Sequence, residues 1–136
     1  MEKTLLLIKP DGVKKRLIGA LISSTEDLGL SIVKMKMVHL TLEEAREFYC
    51  EHRGKEFFNK LVKFITRDRI VALELEGKDA IQRLRELVGA TDPNDAAPGT
   101  IRATYGLSKT ENTVHASDSK ASAKREIEFF FEKEVE

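Results

Sequence analysis

The sequence predicts an α/β (α+β) sandwich of the ferredoxin-like type, βαββαβ, with a four-stranded antiparallel sheet, two main crossover helices and additional helices. Three observations predict it. Four segments have the length and residue character of strands. A helical periodicity stands between the first and second strands and another between the third and fourth. Each of those two helical patterns stops at a glycine, Gly29 and Gly89, where the chain can turn back to the sheet.

Residues 4–8 (TLLLI) form a short apolar run stopped by Pro10-Asp11-Gly12, a buried strand followed by a turn. Residues 17–28 carry Ile18, Leu21, Ile22 and Leu28 at helical spacing. In residues 31–38, Val33, Met35 and Met37 alternate with Lys34 and Lys36, the period of a strand with one wet face. Thr41-Leu42-Glu43-Glu44 has the form of a capping box and opens a helix towards Cys50. Phe57, Phe58, Leu61, Val62 and Ile65 follow at helical spacing, and residues 70–75 (IVALEL) read as a strand. Residues 79–88 place Ile81, Leu84, Leu87 and Val88 on one helix face. Residues 92–99 hold two prolines and read as a loop, and residues 113–116 as a short strand. Ser117-Asp118-Ser119 then caps a final helix with Ile127, Phe130 and Phe131 inside.

The 136 residues fit one domain, 1–136. Apolar residues make up 41% and charged residues 34%, a balance that favours neither disorder nor a membrane protein. Twenty-three basic and 23 acidic residues cancel, which argues against polynucleotide binding by phosphate neutralisation but leaves room for small anions. The single cysteine, Cys50, excludes an internally disulfide-stapled class. The N-terminal apolar run is too short for a signal peptide or a membrane span, so the expected compartment is the cytoplasm.

Neither Gly-x-x-x-x-Gly-Lys-Ser/Thr nor Gly-x-Gly-x-x-Gly occurs, so a phosphate ligand would need side-chain cations. No Cys/His cluster has metal-ligand spacing, and His39 and His52 read as surface or boundary histidines. His115 stands at a strand-to-helix junction with Ser117, Asp118 and Ser119 close by, where a neutral imidazole can act as a nucleophile. Lys9 follows a buried strand, a common place for a ligand-binding residue. Arg85 and Arg102 taken singly are solvated charges, and Tyr49, Phe57 and Leu61 taken singly are core or boundary residues.

Lys9-Pro10-Asp11-Gly12-Val13, the run 98–102 (PGTIR) and the run 112–119 (NTVHASDS) together resemble nucleoside diphosphate kinase. Tyr49, Phe57-Phe58, Leu61-Val62, Arg85, Gly89-x-Thr91 and Ser122-Ala123-x-x-Glu126-Ile127 fall in matching order, so the resemblance covers nearly the whole chain. It implies transfer of a γ-phosphoryl group from a nucleoside triphosphate to a nucleoside diphosphate through a phosphohistidine, by ping-pong kinetics. His115 matches the nucleophile, attacking through Nδ1, and Glu126 and Ser117 the residues that orient and polarise it. Lys9 and Asn112 match contacts to the sugar hydroxyl and a nearby phosphate. Arg85, Thr91 and Arg102 match phosphate contacts, and Tyr49 the tyrosine near the γ-phosphate. Phe57 matches the aromatic that stacks on the base, with Leu61 beside it. Mg²⁺ would ride on the nucleotide, held mainly by phosphates and water, with Asp118 at most in its outer sphere.

The resemblance also implies a homo-oligomer, a hexamer in preference to a tetramer, with residues 92–99 in hexamer contacts; the short tail after Phe131 would favour tetramers. Departures from the family pattern are Ala116 and Thr104 for a usual glycine and aspartate, Arg67-Asp68-Arg69 before the third strand, and Lys109 where an apolar residue often lies under the base. Two competing readings are weaker. A ferredoxin-like RNA-recognition module lacks its aromatic signature here, and an inactive scaffold would have no use for the set Lys9, Tyr49, Arg85, Arg102, Asn112, His115 and Glu126.

Overall fold

The computed structural model describes residues 1–131; the short tail read after Phe131 lies outside the described residues. In chain order the helices and strands are β1 (Glu2–Ile8), α1 (Pro10–Lys14), α2 (Ile18–Asp27), β2 (Ser31–Val38), α3 (Leu42–Phe48), α4 (Phe58–Ile65), β3 (Ile70–Gly77), α5 (Ala80–Val88), α6 (Ile101–Tyr105), β4 (Val114–Ala116) and α7 (Lys120–Phe131). The strands form one antiparallel sheet in the order β2-β3-β1-β4. This is the βαββαβ sandwich that the element order predicts.

Alternation along β1 and β3 feeds two cores. Leu6, Ile8, Leu73 and Leu75 point to one face, where Leu21 of α2 and Leu84 of α5 cover them. Leu5, Leu7, Ile70 and Ala72 point to the other, against Phe48 of α3, Val62 of α4 and Phe130 and Phe131 of α7. Because both faces are covered, β1 and β3 read as continuous apolar runs, whereas β2 alternates. Truncating any of these buried leucines to alanine costs about 2–5 kcal/mol.

Four local readings change. The turn at Pro10-Asp11-Gly12 is instead the first turn of α1, with Pro10 at a helix-start position where its missing N–H is no loss. The helix opened by the Thr41 capping box ends at Phe48 and continues as a 3₁₀ turn over Cys50–His52. Helix α6, started by the Thr100 side chain accepting from the Ala103 N–H, is a further element that apolar periodicity alone does not announce. The period of two in β2 holds, but its faces are the reverse of side-chain preference. Met35 and Met37 are 59% and 47% exposed, while Lys34 and Lys36 are half-buried with their ammonium groups 6.0 and 5.4 Å from the Phe131 ring centroid. A register shift between Ile32 and Lys34 changes the phase of the strand, pairing Lys34 with Glu74 and Lys36 with Ala72 under α7. The lysine stems cover apolar surface there and keep their charges at its rim.

Candidate active site

The site forms around β4, whose pairing with β1 sets His115 opposite Leu7. The His115 side chain is 22% exposed and its Nε2 lies 3.0 Å from Glu126 Oε1, one and a half turns into α7. The Ser117 hydroxyl donates to the same oxygen at 2.7 Å. Burial works against ionisation of Glu126, but the hydrogen bond and charge of His115, the Ser117 hydrogen bond and Arg125 outweigh it and hold the carboxyl below its ordinary range. An ionised carboxylate only accepts, so Nε2 carries the proton and the Nδ1 lone pair is left for chemistry. The Phe48 ring meets the imidazole edge to face at 5.4 Å and fixes its plane from the other side.

Lys9 follows β1, at the N-cap of α1, and is almost fully buried. Its Nζ donates to Asn112 Oδ1 at 2.9 Å and approaches the Thr110 carbonyl at 3.4 Å. Burial, and then the Arg102 charge, pull its pKa from 10.5 to about 7, against an opposing pull from Asp11. Asn112 donates in turn to the carbonyls of Thr91 and Lys109, both at 3.0 Å. Arg102 reaches out of α6 to the carbonyls of Gly89 at 3.1 Å and Val114 at 2.8 Å, and its buried Nε has no hydrogen-bond partner among the described residues. Its pKa falls to about 10 through burial and then the Arg85 charge. Two desolvated cations beside a half-open imidazole form a trap for an anion, which would supply the charge they lack.

The α3–α4 arm closes the other side. Burial, and then the Glu126 charge, push the Tyr49 phenol well above its ordinary range, so it is a neutral hydrogen-bond donor. Phe57, at the entrance to α4, is 44% exposed. His52 lies between the two, its ring 6.1 Å from Tyr49 and 5.3 Å from Phe57.

The structure brings His115, Ser117, Glu126, Tyr49 and Phe57 into one chain of contacts through Phe48 and His52, while Lys9 with Asn112, and Arg102 through the Val114 carbonyl, meet the backbone that leads into His115. Thr91 joins Asn112 through its backbone carbonyl. Arg85 is exposed in the last turn of α5, close enough for its charge to act on Arg102 and on Asp118. Asp118 is exposed, and its carboxyl is held low chiefly by a hydrogen bond from Ser122. Leu61 is partly buried against the second core, its N–H donating to the Phe57 carbonyl at 3.0 Å. Three residues near the centre carry no sequence signal of their own. Phe48 and Arg125 stand in no motif the sequence offers, and His52 reads as a surface or boundary histidine; Arg125 donates to the Phe48 carbonyl at 3.1 Å and lies 3.7 Å from Glu126. Of the departures, Arg67 pairs with Glu111 at 3.9 Å and joins the loops ahead of β3 and β4, while Lys109 is exposed.

The family model "Nucleoside diphosphate kinase" matches residues 2–135. A nucleoside diphosphate kinase of Saccharolobus islandicus is 50% identical over 133 residues, 98% of this chain and 96% of the relative. One of Methanococcus maripaludis is 50% identical over 131 residues, 96% of this chain and 98% of the relative. Among solved structures, the Aquifex aeolicus nucleoside diphosphate kinase superposes with a TM-score of 0.94 at 44% identity, covering 96% of this chain and 94% of that one. A halophilic nucleoside diphosphate kinase from Halobacterium salinarum, in complex with CDP, gives 0.93 at 45% identity, covering 96% and 87%.

Proposed function

We propose that this chain, which belongs to the nucleoside diphosphate kinase family, performs the family's phosphoryl transfer on His115. The reaction moves the γ-phosphoryl group of a nucleoside triphosphate to a nucleoside diphosphate in two steps through a phosphohistidine. In the first, the Nδ1 lone pair forms a bond to the γ-phosphorus while the bond from that phosphorus to the bridging oxygen breaks, and the diphosphate leaves with the electron pair. In the second, a terminal oxygen of the incoming diphosphate attacks the phosphorus and Nδ1 recovers its lone pair. The observation that carries the assignment is the Nε2 to Glu126 contact of 3.0 Å, which leaves Nδ1 as the reactive atom and provides a carboxylate for the positive charge of the phosphorylated ring.

On this reading the other residues position and neutralise. Lys9 and Asn112 meet the sugar hydroxyl and a phosphate, Arg85, Thr91 and Arg102 hold the β- and γ-phosphates, and Tyr49 donates towards the γ-phosphate. Phe57 stacks on the base beside Leu61 and leaves the base's hydrogen-bonding edges unread, which supports broad tolerance among bases. Mg²⁺ neutralises phosphate charge when bound. The ion would be held mainly by the nucleotide's phosphates and by water, with Asp118, whose carboxyl is held below its ordinary range, at most in its outer sphere.

The whole chain, 1–136, is taken as one kinase domain, and the expected compartment is the cytoplasm. No described helix is long and apolar enough to cross a membrane. Family membership supports a homo-oligomer, with a hexamer preferred to a tetramer and residues 92–99 in its contacts, and the exposed methionines on edge strand β2 offer an apolar surface for association. The decisive experiment is incubation with γ-labelled ATP. The expected result is an acid-labile, base-stable label at His115 that is absent from His115→Ala and normal in His39→Ala; a label at any other residue would overturn the assignment.

A further inference from the structure

Thr113, two residues before His115, is fully buried and has a φ of +76°. A positive φ is uncommon for any side chain and is an outlier for a β-branched one. The Val114 N–H donates to the Asn112 carbonyl at 2.8 Å, closing a three-residue turn with Thr113 at its centre. This positive-φ γ-turn is rare and strained, and such a conformation persists only where the surroundings impose it. The site depends on it at both ends. Asn112 on one side receives Lys9 Nζ, and Val114 and His115 follow on the other, with the Val114 carbonyl accepting from Arg102.

The first turn of α1 imposes the conformation. The Lys9 N–H donates to the Thr113 carbonyl at 2.9 Å, and Asp11 Oδ2 accepts from the Thr113 N–H at 3.0 Å. Both backbone polar groups of the strained residue are thus gripped by two residues of one short segment. Gly12 permits the approach, because a Cβ there would stand 2.9 Å from Ile8 Cγ2 and 3.1 Å from the Thr113 carbonyl oxygen. Asp11 is only 7% exposed, and its second oxygen, Oδ1, is buried without a hydrogen-bond partner among the described residues. Neutral groups could fill that space at lower cost, so the carboxylate needs a reason.

We propose that Asp11 is a positioning residue for phosphoryl transfer: its buried carboxylate holds the Thr113 turn in its strained form and so sets Asn112, and with it Lys9, in register with His115. The inference rests on His115 being the nucleophile. Without the grip, Thr113 relaxes towards negative φ, the Asn112 side chain swings away from Lys9, and the start of β4 shifts. Asp11 also acts on Lys9 by charge alone, and the experiment separates the two roles.

Glycine adopts a positive φ without strain, so Thr113→Gly removes the need for the grip while leaving every charge in place. The rate of phosphoenzyme formation from γ-labelled ATP is measured by rapid quench for the parent, Asp11→Ala and Asp11→Ala/Thr113→Gly, with folding followed by circular dichroism. Asp11→Ala should fall by about 10²-fold, the scale of a displacement near 1 Å in a reacting site, and the double variant should regain at least about tenfold of that loss. A double variant no faster than Asp11→Ala, or an Asp11→Ala at the parental rate, overturns the proposal. If Asp11→Ala does not fold, Asp11→Asn takes its place, since it keeps the shape and an acceptor oxygen. It should stay within about tenfold of the parent, whereas a hundredfold loss that Thr113→Gly does not restore would mean that charge on Lys9 is the whole role and would overturn the proposal. A parent that takes no label at His115 is a separate result, which sinks the nucleophile assignment itself.

Discussion

Glu126 Oε1 stands 3.0 Å from His115 Nε2 and 2.7 Å from the Ser117 hydroxyl, so one carboxylate oxygen fixes the tautomer and the orientation of the imidazole. Arg125 lies 3.7 Å from the other oxygen. The carboxylate is therefore ionised across the neutral range and ready to meet the positive charge that develops on the ring.

Glu126→Gln keeps an acceptor but loses that charge. Phosphoenzyme formation should slow by about 10- to 100-fold, the worth of one charge-assisted hydrogen bond, with a smaller change in KM. Stability supplies a second readout. The folded carboxyl is held below its ordinary pKa, so its contribution is present above the unfolded value and is lost as pH falls through the folded one. Melting curves of parent and variant should converge in acid; a gap that widens there would contradict the assignment of Glu126 as ionised.

Lys9 titrates near neutrality, at about 7 against 10.5 when unfolded. Between those values the unfolded chain binds more protons, so this group makes stability rise with pH. The Tm difference between Lys9→Met and the parent should move in the parent's favour from about pH 7 upward. Bound phosphates favour the ammonium form, so nucleotide binding at pH 8 should take up a proton and weaken as pH rises. Calorimetry in buffers of different ionisation enthalpy measures the uptake, and an equal uptake in Lys9→Met would assign it elsewhere.

Phe57 presents an exposed aromatic face with Lys55 Nζ 5.7 Å from its centroid. Phe57→Ala should weaken purine and pyrimidine nucleotides alike, by about 1–3 kcal/mol each. A loss confined to purines would show that the base is read by its edge and not by its face.

Met35 and Met37 stand exposed on the outer strand of the sheet. If copies associate through that edge, Met35→Lys/Met37→Lys should shift the particle in light scattering towards the 15.4 kDa monomer without unfolding it. A parent already at that mass would end the oligomer assignment, and a double variant that assembles as the parent does would move the interface to another surface.

The elements and much of the site are legible in the sequence because both are written locally. Apolar periods mark β1, α2, β3 and α5; the Thr41-Leu42-Glu43-Glu44 box marks the start of α3; and His115, Ser117 and Glu126 sit within one short window. The convergence of Lys9 with Asn112, 103 positions away, is not written there, because local patterning carries conformational preference and no distance information. The same limit hides Phe48, whose place beside His115 depends on how α3 lies across the sheet. It hides the phase of β2, since a single shift between Ile32 and Lys34 reverses which side chains meet the core. Thr113 is the sharpest case. Its side chain opposes the conformation it adopts, so no propensity could announce it, and tertiary contacts from Asp11 and Lys9 across the fold hold it at +76°.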